Sequence, residues 1–292
     1  MKFSYEEMTK RNYGFINVEE QEKLRKTPVF VCGVGGMGGS CLLSLVRAGM
    51  ENITIADIDV FEVSNINRQV FANMRTEGMD KAEATIMQIK EINPEARIHN
   101  QGPDWLSHID EIFKINKIVV NGSDDIVSSV VLYRKAREHG VTVIDAYTSP
   151  LPSVYVTSPE DKTPEERLGF KTRFIKEVSP QTVSKEVIDQ CKLEEIVYVL
   201  TNSSSIQHID VNVAVEMMTG KRSRMSLSTM VITTGNLMAF QVFAAILKKK
   251  SKTDARGYFL DAYIGNCERP RIFPIRFVKE MLVRAFLKKL LK

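Results

Sequence analysis

Short apolar runs alternate with amphipathic stretches through the first half of this chain, and that alternation predicts strands and helices in turn. Val29-Phe30-Val31-Cys32 is uniformly apolar and runs into glycines at 33, 35, 36, 38 and 39. Leu42, Leu43, Leu45 and Val46 then recur at helical spacing, and Ile53-Thr54-Ile55 predicts a second strand that closes on Asp57-Ile58-Asp59. Strand, glycine turn, helix, strand and acid make a βαβ nucleotide-binding unit.

Ahead of this unit, residues 1–28 read as an N-terminal helical arm, with a helix over Val18–Lys26. Behind it, Val60–Lys81 is a polar connection far longer than the few residues usual between such elements, which marks it as functional. Ile86, Ile89 and Ile92 predict a helix over Ala82–Ile92, stopped by Asn93-Pro94. The succession continues with a strand at Ala96–Asn100, a helix at Trp105–Ile115 and a strand at Lys117–Val120. A helix at Ile126–His139 and a strand at Val141–Asp145 follow, and Ser153–Thr157 alternates like an added antiparallel strand. The fold class this predicts is α/β: a Rossmann-like, mostly parallel sheet with helices on both faces, plus a smaller C-terminal α/β portion.

The pattern breaks after residue 157. Ser158–Gln190, with Pro159, Pro164 and Pro180 and mixed charges, reads as a long, mobile crossover loop. Helices are expected at Leu193–Leu200, Gln207–Thr219 and Met230–Lys249, and a two-stranded piece at Gly257–Ile264 and Arg271–Ile275. The tail is amphipathic, with Phe277, Met281, Leu282, Phe286 and Leu290 expected to dock as one face.

Composition narrows the picture only modestly. The chain has 292 residues, enough for one large domain or two modest ones, and its net charge of +4 does not by itself point to nucleic acid. The polar N-terminus is unlike a signal peptide, and no apolar run of membrane-spanning length is expected, so the reading is cytoplasmic without integral membrane association. Cysteines 32, 41, 191 and 267 form no CxxC pair, so no structural zinc is expected. Cys191 is the one thiol in a polar stretch and is kept as a candidate nucleophile.

The candidate chemistry gathers at strand ends. Gly33, Gly35 and Gly36 allow the backbone to turn close to a phosphate, and Gly38 allows close helix–strand packing. The helix N-terminus adds free N–H groups and its dipole. Asp57 can accept hydrogen bonds from a ribose; Asp59 is read equally as ligand or loop cap. Asn65, Arg68 and Gln69 lie in the following loop, Lys81 starts the next helix, and Asp124 and Asp125 follow the fourth strand. Two cations and an acid beside a phosphate cradle suit polyphosphate chemistry with Mg²⁺. Asp125 reads better as a helix cap than as a ligand.

These residues resemble the ThiF/MoeB/HesA superfamily, prokaryotic relatives of ubiquitin-activating enzymes. Its glycine loop is similar to Gly33-Val34-Gly35-Gly36-Met37-Gly38, and its D-x-D-x-V-x-x-S-N-x-x-R-Q signature to Asp57 through Gln69. Its G-x-x-K-A element is similar to Gly78-Met79-Asp80-Lys81-Ala82, and its T-D-N element to Ser123-Asp124-Asp125. The resemblance implies an arm over 1–28, an ATP-binding domain over 29–157, and a crossover, long helix and capping or dimerisation portion over 158–292. It implies Asp57 at the ATP ribose, Arg68 and Lys81 as catalytic phosphate ligands, and Asp124 at Mg²⁺ and the triphosphate. The implied reaction is attack of a carboxylate on the α-phosphorus, giving an acyl-adenylate and pyrophosphate. The implied partners are a second copy in a homodimer and the C-terminus of a ubiquitin-like sulfur carrier or a peptide. An alternative is cyclisation of threonylcarbamoyladenosine on tRNA through adenylation.

Several departures accompany the match. Relatives often lend an arm arginine to the partner's site; here Gly14 stands near that place and Arg11 is the candidate substitute. No cysteine falls in Lys221–Thr234, where several relatives carry theirs, and Ser128 and Ser129 replace an expected arginine. Readings from other classes are an NAD(P)-dependent oxidoreductase and a non-catalytic dimeric scaffold.

Overall fold

The apolar runs become strands covered on both faces. The structure, a computed structural model describing residues 2–290, places β1 at Val29–Cys32, β2 at Asn52–Ala56, β3 at Arg97–Asn100 and β4 at Ile118–Asn121. Strands β5 (Thr142–Asp145), β6 (Ser153–Thr157), β7 (Tyr258–Asp261) and β8 (Asn266–Glu268) complete one sheet of order β3-β2-β1-β4-β5-β6-β7-β8. The first five are parallel and the last three antiparallel. Val31 lies in register with Ile55 of β2 on one side and Val120 of β4 on the other. The chain therefore changes winding direction between β1 and β4, which opens a crevice at their carboxyl ends.

The helices are α1 (Tyr5–Thr9), α2 (Val18–Lys26), α3 (Gly36–Arg47), α4 (Lys81–Ile92), α5 (Ile109–Ile115) and α6 (Ile126–Glu138). They continue with α7 (Pro164–Leu168), α8 (Lys185–Asn202), α9 (Val211–Met218), α10 (Ser228–Ile246) and α11 (Phe273–Leu290). Alternate residues of β1 feed opposite core layers. Val29 and Val31 pack with Leu42, Leu45 and Val46 of α3, Ile89 of α4 and Met238 of α10. Phe30 and Cys32 pack with Trp105, with Ile112 and Phe113 of α5, and with Leu132 of α6. Each such fully buried aliphatic side chain contributes about 1.5–3 kcal/mol.

The arm is tied to this core by polar contacts. Asn17 caps α2 in a box with Glu20, and the Tyr5 hydroxyl donates to Gly49 O at 2.8 Å. Arg25 pairs with the buried carboxylate of Glu51 at 2.9 Å.

Four expectations need correction. Ser158–Gln190 is not an open loop throughout, because α7 and a 3₁₀ turn at Lys171–Phe174 fold it against α6. Arg134 grips Glu165 through two contacts of 2.8 and 2.9 Å, and Phe170 and Thr172 are buried. Arg271–Ile275 forms no strand; β7 pairs instead with β8, and Phe273 already begins α11. The α11 docking face is also different. Leu287 is buried and Val283 and Phe286 pack against α8, while Phe277, Met281 and Leu282 face outward. The last two tail residues lie outside the described residues.

The fourth correction concerns α10. It is long and apolar enough by composition to cross a bilayer, with a mean hydropathy of 1.5, where no such stretch was expected. In the fold it lies along α3, and a Cβ on Gly235 would fall 2.5 Å from Met37 O, so the two backbones nearly touch. Its other face remains open, with Phe240 exposed.

Candidate active site

The crevice between β1 and β4 holds a cavity of about 750 Å³ lined by the glycine turn, the β2 end, the loop after it and the start of α6. Gly33 adopts φ +82°, a conformation that favours glycine, and its N–H donates to Ala56 O at 2.7 Å. A Cβ on Gly38 would stand 1.9 Å from Gly33 O, so only glycine permits this closure of turn onto helix. Helix α3 begins without a side-chain cap, leaving its first amide groups and dipole for an anion.

Asp57 organises the floor. Its two carboxylate oxygens accept from Val34 N at 2.8 Å and Asp59 N at 3.0 Å, which fixes the turn to the next loop. Burial holds this carboxyl above the usual carboxylate range, although the two N–H donors oppose the shift. Lys81 is buried, and its Nζ meets Asp59 at 2.9 Å. Asp59 thus positions the lysine, which leaves the lysine's remaining donors for the cavity.

Arg68 also lines the cavity. Its guanidinium donates to Ser64 O at 2.8 Å and to Asn67 Oδ1 at 2.9 Å, and among the described residues it has no carboxylate partner. Gln69 lies against Gly35, buried, with its Oε1 lacking a hydrogen-bond partner. A buried acceptor without a donor costs about 1–3 kcal/mol, which a ligand N–H or O–H can relieve. Asp124 borders the same space, is largely exposed, and meets Arg224 at 3.4 Å. Asp125 caps α6 by accepting from Ser128 N at 2.7 Å, as its place in the sequence suggested.

Three candidates lie elsewhere. Asn65 Oδ1 accepts from Glu62 N at 3.2 Å in the cap of a short 3₁₀ turn, so it shapes the loop that carries Arg68. Arg11 is exposed in the arm and lines neither this cavity nor the larger one beside it. Cys191 sits not in a polar, flexible stretch but fully buried on α8 among Ile126, Val130 and Phe170. Desolvation pushes its thiol up to about 11, away from the thiolate a nucleophile needs.

Other groups at the site carried no sequence signal. Trp105, His208 and Tyr263 line the cavity; His208 stacks on Tyr263 at 5.4 Å and meets Asp261 at 3.1 Å. A second cavity of about 910 Å³ shares Ser123, Asp124, Ser149 and Arg224 with the first and runs inward beneath α8, α9 and α11. Its polar end holds Asp145, which accepts from Tyr133 at 2.8 Å and Asn121 at 3.2 Å. Burial raises Asp145 to about 6 and Glu195, beside it, to about 8. Among the described residues no group of three His, Cys, Asp or Glu side chains is placed to hold a metal. Asp124 alone could serve Mg²⁺, which commonly takes one or two carboxylates together with substrate phosphates.

A sequence model of the ThiF family matches residues 9–276. The chain belongs to the ThiF family. It is 30% identical over 136 residues to a probable molybdopterin-synthase adenylyltransferase of Porphyra purpurea, a match covering 44% of this chain and 35% of that protein. The chain thus spans about a third of the length of that curated relative. Among solved structures, E. coli MccB with MccA matches at a TM-score of 0.63 and 15% identity, covering 92% of this chain and 73% of the other. E. coli tRNA N6-threonylcarbamoyladenosine dehydratase, TcdA, matches at 0.56 and 17% identity, covering 84% of this chain and 95% of the other. These two likenesses are of fold; the ThiF family match itself takes in the glycine turn, Asp57, Arg68, Lys81 and Asp124.

Proposed function

We propose that this chain binds ATP with Mg²⁺ in the smaller cavity and adenylates a carboxylate, releasing pyrophosphate. One observation carries the reading: an uncapped helix N-terminus, Arg68, Lys81 and Asp124 border one cavity that Asp57 also lines. That set of groups suits a ribose and a chain of phosphates. The orphaned Oε1 of Gln69 and the free side of Asp124 fit a nucleotide and its cation.

In this reading Asp57 accepts from the ribose, and the α3 amides hold the phosphates. A carboxylate oxygen of the substrate attacks the α-phosphorus; a new P–O bond forms as the bond to the pyrophosphate oxygen breaks. Lys81, steadied by Asp59, and Arg68 stabilise the charge that builds on the phosphates, each contributing about 3–4 kcal/mol in comparable sites. Asp124 would hold Mg²⁺, which when bound would supply further neutralisation of the leaving group. The larger cavity meets this point at Ser123, Asp124 and Ser149, which suits entry of an acyl chain.

The substrate we favour is the C-terminal carboxylate of a ubiquitin-like carrier protein or a peptide. We further propose a homodimer, supported by the open apolar face of α10 and by exposed Phe15 and Val18 in the arm. Free cysteines at 32, 41, 191 and 267 suit a reducing, cytoplasmic setting.

ATP–pyrophosphate exchange tests the reaction, with arms containing carrier proteins, their C-terminal amides, and tRNA. Exchange that needs a free C-terminal carboxylate supports the reading. Exchange with tRNA alone would move the substrate to threonylcarbamoyladenosine, and no exchange in any arm would defeat adenylation.

A further inference from the structure

Arg224 lies on the segment between α9 and α10, yet it reaches back over the nucleotide cavity to Asp124, one hundred residues earlier in the chain. The segment is held there. Asn67 Nδ2 donates to Ser226 O at 3.0 Å, tying it to the loop that carries Arg68. The first turn of α10 presses on the glycine turn: a Cβ on Gly36 would come within 2.6 Å of Val231. Arg224 therefore has a defined place in the roof of the cavity.

The arrangement leaves Arg224 loosely paired. Arg224 and Arg68 border the same space, and burial together with the nearby Arg68 disfavours the charge on Arg224. A guanidinium does not lose its proton in proteins, so this repulsion persists. Opposing this are Glu195 and a single long contact of 3.4 Å to Asp124, a carboxylate that is 80% exposed. A well-formed arginine–carboxylate pair is shorter and bidentate. Lys81 has Asp59 at 2.9 Å, whereas Arg68 has no carboxylate partner among the described residues and Arg224 only this long one, so both guanidinium groups remain able to take an anion.

We infer that Arg224 is the third phosphate-binding cation of the site, supplied by the chain's own roof, and that its ion pair with Asp124 is a latch that a triphosphate displaces. The inference rests on the ATP reading above and deepens it. When the triphosphate enters, Arg224 turns from Asp124 to the β- and γ-phosphate oxygens, and Asp124 is released. The roof then closes on the phosphates through the same residue that frees the acid. Within one chain Arg224, not the exposed Arg11 of the arm, borders the cavity.

Calorimetric titration of ATP, ADP and AMP into wild type, Arg224→Ala and Arg224→Lys tests this, with Mg²⁺ and again in EDTA. Arg224→Ala should weaken ATP binding by roughly ten- to a hundred-fold, the usual effect of losing a hydrogen bond to a charged group. ADP should weaken less and AMP hardly at all, and the graded loss should persist in EDTA. Arg224→Lys should recover part of the ATP affinity. Equal losses for AMP and ATP would show a merely structural residue, and unchanged ATP affinity would show none; either overturns the latch. Wild type that binds no ATP would defeat the ATP reading and the latch together. Wild type that binds ATP while Arg224→Ala is unaffected would defeat the latch alone.

Discussion

Asp57 and Lys81, in the floor of the nucleotide cavity, have partners at 2.8 and 2.9 Å, whereas Arg224, in its roof, reaches Asp124 at 3.4 Å. The floor is made of strand ends and a glycine turn backed on both sides by buried core. The roof is a segment fastened mainly by Asn67 to Ser226 and by the first turn of α10. The contrast teaches how work is divided in such a site. Groups meant to stabilise developing charge must already be in place, so their ordering cost is met on folding. A part that must let nucleotide in and pyrophosphate out has few strong contacts to break.

The contrast can be broken or sharpened by substitution. The largest effect should come from Lys81→Ala and Arg68→Ala, each lowering pyrophosphate exchange by about a hundred- to a thousand-fold. The melting temperature should hardly move, since Asp59 is exposed enough to rehydrate once Lys81 is gone. A loss of stability matching the loss of rate would make these floor residues structural.

Next, Gly38→Ala should destabilise the fold by about 1–3 kcal/mol and weaken ATP binding, because its Cβ has no room beside Gly33 O. Arg222→Ala in the roof, which removes an exposed pair with Glu216, should stay within about 0.5 kcal/mol. Equal melting points for the two variants would erase the distinction between floor and roof.

Cys191→Ala should cost only about 1 kcal/mol of packing and leave exchange intact, since the thiol is buried and held protonated. Loss of turnover with stability preserved would restore the cysteine to the mechanism.

The last effect should be a slope. Glu195 has a raised folded-state pKa of about 8, so the folded protein keeps a proton that the unfolded chain releases. Its contribution is therefore present at low pH and lost as pH rises towards 8. Asp145, raised to about 6, acts the same way lower in the range. Between pH 6 and 8 the melting temperature should fall, and Glu195→Gln should flatten that fall. An unchanged slope would show that Glu195 is not the group responsible.

Much of the floor was legible in the sequence because its signals are local. Val29–Cys32 is apolar enough to be buried on both faces, the glycines mark the turn, and Asp125 stands where a helix cap belongs. The roof was not legible. Arg224 and Asp124 meet across one hundred positions, and no periodicity connects them. Helix α7 has five residues, too few to show a repeat, so the segment around it read as loop. Helix α8 turns from polar to apolar along its length, and only its apolar part was recognised. In α11 the apolar residues surround the helix, and composition could not say that Leu287 would be buried while Met281 and Leu282 stayed outside.

The central claim is that this cavity takes a nucleoside triphosphate. Calorimetric titration of Mg²⁺-ATP, with NADH titrated in parallel, tests it most directly. The account predicts saturable ATP binding at one site per chain, weakened by Arg68→Ala, and no comparable heat from NADH. Tight NADH binding without ATP heat would contradict it.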